Sequence, residues 1–149
     1  MVIAIIGILA TLLLLQLNVA RAKARDTKRI ADITQIRTAI EIYYDDNATY
    51  PSVLDPALNN YMQNKKVPTD PTTGVIYGYG RDLVGGKVTK YQVWGQLEQL
   101  SSALKSDADI NAGWTGGTDG TKEYGNGTPT SPGKCTAGGL DCIFDLGVN

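Results

Sequence analysis

The first twenty residues, MVIAIIGILATLLLLQLNVA, carry no charged side chain, and neither Gly nor Pro occurs between Gly7 and Pro51. At a rise of about 1.5 Å per residue, a helix of this length spans roughly 30 Å, which is the thickness of the hydrocarbon core of a bilayer. The only polar side chains of the segment are Thr11, Gln16 and Asn18. We therefore predict that residues 1–20 form a helix that lies in a membrane or among other helices.

An amphipathic pattern follows without a break. Apolar residues recur at Ile33, Ile36, Ile40 and Tyr43, a spacing of three, four and three residues that defines one face of an α-helix. The polar residues that fall elsewhere on the helical wheel are Asp32, Gln35, Thr38, Glu41 and Asp45. Pro51 ends any helix. The pattern predicts one helix from residue 1 to about residue 46, with residues 21–46 packing on a small head.

A cluster of charges lies at the junction of the two halves. It carries a local charge of +4 and consists of Arg21, Lys23, Arg25, Asp26, Lys28 and Arg29. By the positive-inside rule this cluster would hold the C-terminal side of the membrane segment in the cytoplasm. The two cysteines, Cys135 and Cys142, indicate instead a disulfide formed in an oxidising compartment, or else two free thiols. The two signals conflict about topology.

Residues 47–149 are predicted to form the head. Alternating residues predict a β-hairpin over residues 75–84 and 87–97, with Gly85-Gly86 at the turn. In its second strand Tyr91, Val93 and Leu97 share one face and Trp94 lies on the other. A third strand is expected from Cys142 to Leu146. The predicted class is α+β: one long helix packed on a small antiparallel sheet, with a Gly-rich region at about 111–149 closed by the cysteine pair.

The segment VIAIIGILA, the long amphipathic helix and the stretch YYDDNATYPS together resemble the type IV pilins and the related major pseudopilins of type II secretion. The later stretches VPTDPTTGVIYGYG and KYQVWGQLEQ resemble the middle of the same family, so the resemblance covers about residues 1–100. The family's basic leader, cleavage site, N-methylated Phe and nearby Glu do not occur in the chain. The resemblance therefore implies that about seven mature residues and a leader cut by prepilin peptidase precede Met1.

The resemblance also implies a pilin fold and a function. The chain would be the major subunit of an extracellular type IV pilus used for adhesion, motility or DNA uptake. It would be a homo-oligomer, stored in the cytoplasmic (inner) membrane as a single-pass protein before the assembly machinery adds it to the filament. The residues implied in the filament core are Val2, Ile3, Ile5, Ile6, Gly7, Ile8, Leu9, Leu12, Leu13 and Leu14. Gly7 to about Gln16 is where the helix is expected to stretch, unless Gly7 only lets neighbouring helices approach closely.

With a leader upstream, the N-terminus becomes the cytoplasmic end and the basic cluster faces outward. Its cations would then pair with Asp26, Asp32 or Glu41 of neighbouring subunits, or stay solvated between them. Because the cluster would lie near the fibre core, we predict no direct nucleic-acid site.

Two alternatives remain. A pseudopilin of type II secretion would be favoured by calcium at Asp107, Asp109 and Asp119, although their spacing is not the regular one of a calcium loop. A membrane-anchored ligand-binding module would need no continuous helix. Asn47 and Asn126 begin N-glycosylation sequons, and the alternative for Asn47 is a plain helix-ending turn.

Catalysis is not predicted. The chain has no His, so it lacks the commonest general base and the commonest metal ligand. No Gly-rich phosphate loop and no recognisable carboxylate pair is present. We predict no cofactor apart from the calcium alternative.

Overall fold

The structure, a computed structural model, describes residues 2–84, 87–99, 101–105 and 143–148. Helix α1 runs over Val2–Asn47 without interruption. Three strands form one antiparallel sheet in the order β1-β2-β3, namely Gly78–Val84, Lys87–Gln96 and Ile143–Val148. Short 3-10 helices occur at Asn59–Tyr61 and Ser102–Lys105. The predicted α+β class, one long helix with a small antiparallel sheet, is confirmed.

Helix α1 ends within one residue of the predicted position. Ala48 takes a positive φ of 54°, and its N–H donates to the carbonyl oxygen of Tyr44 at 2.7 Å. A single left-handed residue after the last helical one is a common way to satisfy a terminal carbonyl and turn the chain away. The helix thus stops at a local turn just before Pro51.

The first strand begins three residues later than predicted. Ile76 forms an isolated bridge with Thr69 instead of joining the main ladder, and Val75 is 55% exposed. The loop around Asp70 therefore uses the first residues of the predicted strand to close on itself. Within the described residues the third strand covers Ile143–Val148, and it ends two residues later than expected.

A β-bulge shifts the register between β1 and β2. Asp82 pairs with Lys90 and Leu83 pairs with Val88, so the ladder skips Thr89. One extra residue shifts the side-chain alternation of a strand by one position. Val88 consequently joins the core cluster together with Tyr91, although the two lie three positions apart and regular alternation would place them on opposite faces of the strand.

The core lies between α1 and the sheet. Ile33, Ile36 and Ile40 are fully buried in it, and Tyr43 packs partly buried at its edge. The segment between the helix and the sheet also contributes core residues that the sequence analysis assigned only to a loop: Leu54, Leu58, Met62 and Val67. The head therefore has a three-part core of helix, connecting segment and sheet.

The face of the sheet away from the helix is occupied by Trp94. Its indole covers Gly78 and Gly80 of β1, and a Cβ at Gly78 would overlap the ring. Trp94 is on the opposite face from Tyr91 and Val93, as the alternation predicts. The two glycines explain how so large a side chain lies flat on a narrow sheet.

Candidate assembly site

The described side chains in the first half of α1 are exposed. The exposed fraction is 87% for Ile3 and 69% for Val2, and further apolar residues are more than half exposed. Those residues are Ile5, Ile6, Ile8 and Leu9, and Gly7 among them is exposed too. Leu12, Leu13 and Leu14 lie in the same helix, and their side chains are outside the described part. We call residues 2–19 the apolar half.

The apolar half has the length and composition of a membrane span. Within the described residues, α1 is the one helix that contains such a window, with a mean hydropathy of 2.5, and none of that window is buried inside the molecule. Exposed apolar surface is unfavourable in water by about 25 cal/mol per Å². This surface is therefore complementary to lipid or to other apolar helices.

The second half of α1 is fixed to the head by buried charges as well as by the isoleucines. The Arg29 side chain is 4% exposed and donates to three carboxylates. The distances are 2.5 Å to Asp70, 2.7 Å to Asp26 and 2.8 Å to Glu98, and Thr72 accepts a further bond at 2.8 Å. This arrangement links the helix to the loop before β1 and to the segment after β2.

Arg25 and Asp26 complete the same link. Arg25 donates two bonds to Glu98, at 2.7 and 2.5 Å, in the paired geometry that guanidinium and carboxylate groups favour. The Asp26 carboxylate accepts the backbone N–H groups of Glu98 and Gln99 at 2.9 and 2.8 Å. We call these residues, Arg25, Asp26, Arg29, Asp70 and Glu98, the charge clamp.

The charge clamp changes the acidity of its members. The two bonds from Arg25 lower the pKa of Glu98 to about 2, against the opposing effect of burial. Burial alone would raise the pKa of Asp70, but hydrogen bonds from Arg29 and from the N–H groups of Thr73 and Thr72 outweigh it and lower that pKa to about 2. Both carboxylates are therefore charged at neutral pH.

Two further acids of α1 are used inside the head. Asp32, expected on the outer part of the helical wheel, is 9% exposed and accepts a bond of 2.9 Å from the Tyr77 hydroxyl. The Tyr91 hydroxyl donates to Glu41. Asp26, Asp32 and Glu41 each have a partner in their own chain, and their pairing with neighbouring subunits stays a prediction.

The remaining predicted sites are placed as follows. Asn47 is exposed at the last turn of α1, where its amide donates to the carbonyl oxygen of Tyr43 at 2.9 Å and to the Tyr61 hydroxyl at 3.3 Å. Six other predicted site residues lie outside the part of the chain that the structure describes: Cys135, Cys142, Asn126, Asp107, Asp109 and Asp119. Among the residues that the structure does describe, no three acidic or cysteine side chains are grouped to hold a metal ion.

Comparison of the chain with protein-family models, with curated proteins and with solved structures gives no match.

The helix side of the charge clamp has a signal in the sequence. Continued toward the N-terminus, the spacing of Ile40, Ile36 and Ile33 reaches Arg29 and Asp26. Two opposite charges on the buried stripe of an amphipathic helix need partners, because an unpaired buried charge is costly. The stripe therefore indicated a buried ion pair, although not its partners Asp70 and Glu98.

Proposed function

We propose that this chain is the structural subunit of a type IV pilus filament, which it forms through its N-terminal helix. The observation that carries the proposal is a single helix, Val2–Asn47, whose second half is built into the head, while no described side chain of its first half is buried in the molecule. A membrane anchor needs only an apolar segment and a connection to the head. A filament subunit needs the connection to be stiff.

The junction between the halves supplies that stiffness. Helix α1 passes through residues 20–24 without a break, and the charge clamp begins at Arg25, immediately beyond. The clamp joins α1 to both ends of the β1–β2 hairpin, through Asp70 and Glu98. The direction of the apolar half is thereby fixed relative to the sheet, as an ordered polymer requires.

Assembly would exchange one apolar environment for another. Before assembly the apolar half lies in the cytoplasmic membrane, and in the filament it lies against the same half of other copies. Because lipid tails are as apolar as leucine side chains, this exchange has little hydrophobic gain, and close packing determines the outcome. Gly7, whose added Cβ would meet nothing within 4 Å in the free subunit, is suited to close approach of a neighbouring helix.

A photo-crosslinking residue tests the proposal in intact cells. It replaces Ile6 in the apolar half and, as a matched control, Val75 in an exposed loop of the head. We expect the photo-crosslinking residue in place of Ile6 to give a ladder of multimers in fibres sheared from the cell surface. The same residue in place of Val75 should give no such ladder. An Ile6 ladder confined to the cell envelope would favour the type II secretion pseudopilin instead. A monomer at Ile6 would contradict both readings and leave a membrane-anchored module.

A further inference from the structure

The junction between the two halves of α1 carries exposed charges of one sign. Between Val2 and Ile40 the helix contains two acids, Asp26 and Asp32, and both are buried. The exposed charged residues next to the apolar half are all cations: Arg21, Lys23 and Lys28. Within the described residues, none of the three forms a salt bridge. We call these three residues the junction cations.

The charge clamp explains why no acid balances the junction cations. In the sequence, Asp26 lies among the basic residues and offers them a partner. In the structure its carboxylate accepts hydrogen bonds from Arg29 and from the backbone N–H groups of Glu98 and Gln99. The junction cations therefore have no exposed acid beside them along the helix, and they give this turn of the molecule a positive surface.

The junction cations lie at the depth of lipid headgroups when the apolar half spans a bilayer. Arg21 is the first charged residue of the helix, and a charge inside hydrocarbon is costly, so the hydrocarbon ends near Ala20. The headgroup layer extends about 5–8 Å further. At about 1.5 Å per residue, Arg21 and Lys23 lie within this layer, and Lys28 lies about 12 Å beyond Ala20. Helical side chains tilt toward the N-terminus, which brings the Lys28 ammonium back toward the membrane.

The junction cations also lie on different sides of the helix. An α-helix turns by about 100° per residue, so Lys28 lies within about 20° of Arg21 around the axis, whereas Lys23 lies about 160° from Arg21. A protein that approached α1 from one side would contact one of these groups and leave the other. A headgroup layer surrounds the helix and contacts both. This arrangement therefore favours lipid over the carboxylates of another protein.

We propose that the junction cations bind anionic phospholipid headgroups in the leaflet next to the head. Phosphate oxygens accept charge-assisted hydrogen bonds from ammonium and guanidinium groups, and an anionic membrane surface attracts basic side chains that follow a membrane span. The inference rests on the proposed function in one point, the membrane position of the apolar half before assembly. It adds the class of lipid that the unassembled chain selects.

This contact would also set the height of the head above the membrane. The charge clamp fixes the second half of α1 to the head, beginning at Arg25, between two of the junction cations. Headgroups that hold the junction cations therefore hold the head at a defined distance from the bilayer. Assembly removes these cations from the headgroups, so anionic lipid should retain the unassembled chain more strongly than zwitterionic lipid does.

Photoactivatable lipids test the contact with the purified full chain in vesicles. The vesicles contain phosphatidylglycerol and phosphatidylcholine in equal amounts, and in parallel samples a trace of one lipid or the other carries a photoreactive acyl chain. Mass spectrometry of the labelled peptides compares the two probes. We expect the phosphatidylglycerol probe to label α1 about fivefold more than the phosphatidylcholine probe, the ratio that corresponds to about 1 kcal/mol for one cation at an anionic surface.

Salt supplies a second measurement on the unaltered chain. At about 1 M salt the Debye length falls to about 3 Å, so the attraction between exposed cations and headgroups is largely screened. The labelling ratio of the two probes should then fall toward one. A fivefold ratio that does not respond to salt would mean that the selection is not electrostatic, and it would overturn the inference.

Charge variants identify the residues responsible. The triple variant Arg21→Gln, Lys23→Gln and Lys28→Gln removes the junction cations and should give a labelling ratio near one. All three side chains are exposed, so the head should stay folded, which near-ultraviolet circular dichroism checks. The matched control combines Lys65→Gln with Lys66→Gln, two exposed lysines outside the helix, and should keep the fivefold ratio.

The outcomes separate this inference from the proposed function. A ratio near one for the unaltered chain, or a preference that persists in the triple variant, would overturn the lipid contact and leave the cations to water or to a protein partner. The filament proposal would still stand if the Ile6 photo-crosslinks form in fibres. A fivefold ratio without an Ile6 ladder would overturn the filament proposal and keep the lipid contact. A chain that does not insert into vesicles would overturn both.

Discussion

The two halves of α1 place their side chains in opposite environments. In the second half, charged Arg29 and Asp26 are buried beside fully buried isoleucines. In the first half, isoleucines and valines are exposed on every side and no charge occurs. Both halves belong to one unbroken helix. The difference therefore comes from the surroundings of each half: the second half packs on the head, and no described side chain of the first half is buried in the molecule.

This contrast predicts that stability and assembly respond to different residues. The free energy of unfolding of the head should depend on the isoleucine stripe and the charge clamp, and the apolar half should have little influence on it. Assembly should depend on the apolar half. The experiments below alter one half at a time in the full chain, held in a mild detergent when unfolding is measured.

The largest effect on stability is expected for Arg29→Gln. The change leaves Asp26 and Asp70 without their cation in a buried site, which should lower the free energy of unfolding by about 3–5 kcal/mol. Urea unfolding followed by near-ultraviolet circular dichroism of Trp94 measures the loss. Lys28→Gln removes a neighbouring exposed cation and should change the value by less than about 0.5 kcal/mol. Equal effects of the two changes would show that the charge clamp does not hold the head.

The substitution of an isoleucine by alanine, made once in each half of α1, compares what the two halves contribute to stability. Ile36→Ala removes a fully buried side chain and should lower the free energy of unfolding of the head by about 2–4 kcal/mol. Ile6→Ala removes an exposed one and should leave that free energy within about 0.5 kcal/mol, while reducing the amount of fibre. If Ile6→Ala destabilises the head as much as Ile36→Ala does, the two halves are not separate in function.

Gly78→Ala tests the packing on the far side of the sheet. Its Cβ would overlap the Trp94 indole, and the resulting strain should cost about 1–3 kcal/mol of stability. Gly80→Ala is the matched control, because its Cβ would lie 3.3 Å from the same ring and needs only a small adjustment. Thermal unfolding should rank the native chain above Gly80→Ala, and Gly80→Ala above Gly78→Ala. The reverse order would mean that Trp94 lies elsewhere.

The smallest effect on the stability of the head is expected from a lower pH. The pKa of Glu98 falls from 4.5 to about 2 on folding, and that of Asp70 from 3.8 to about 2. A carboxylate whose pKa is lowered by folding adds stability above its unfolded pKa and loses it as the pH falls through the folded value. Stability should therefore decline as the pH falls from about 4.5 to about 2. Glu98→Gln should flatten this decline, and an unchanged slope would contradict the paired state of Glu98.

Much of the fold could be predicted from local patterns. The helix ends within one residue of its predicted end because Asp45-Asp46-Asn47 and Pro51 are local signals. The hairpin follows from alternation around Gly85-Gly86. The start of β1 was misplaced because the pairing of Ile76 with Thr69 depends on the loop at Asp70, which no alternation encodes.

The charge clamp could not be predicted in full because its partners are distant in sequence. Arg29 and Asp70 are separated by 41 residues, and Arg25 and Glu98 by 73. Only the helix side of the clamp is visible in the spacing of the apolar stripe.

The most direct test of the filament proposal is a cryo-electron microscopy reconstruction of fibres sheared from cells that express this chain. The account predicts a fibre built from this chain, with the apolar half of each copy packed against other copies at the axis and the heads on the surface. A fibre without this chain, or one in which residues 2–19 face solvent, would contradict the account.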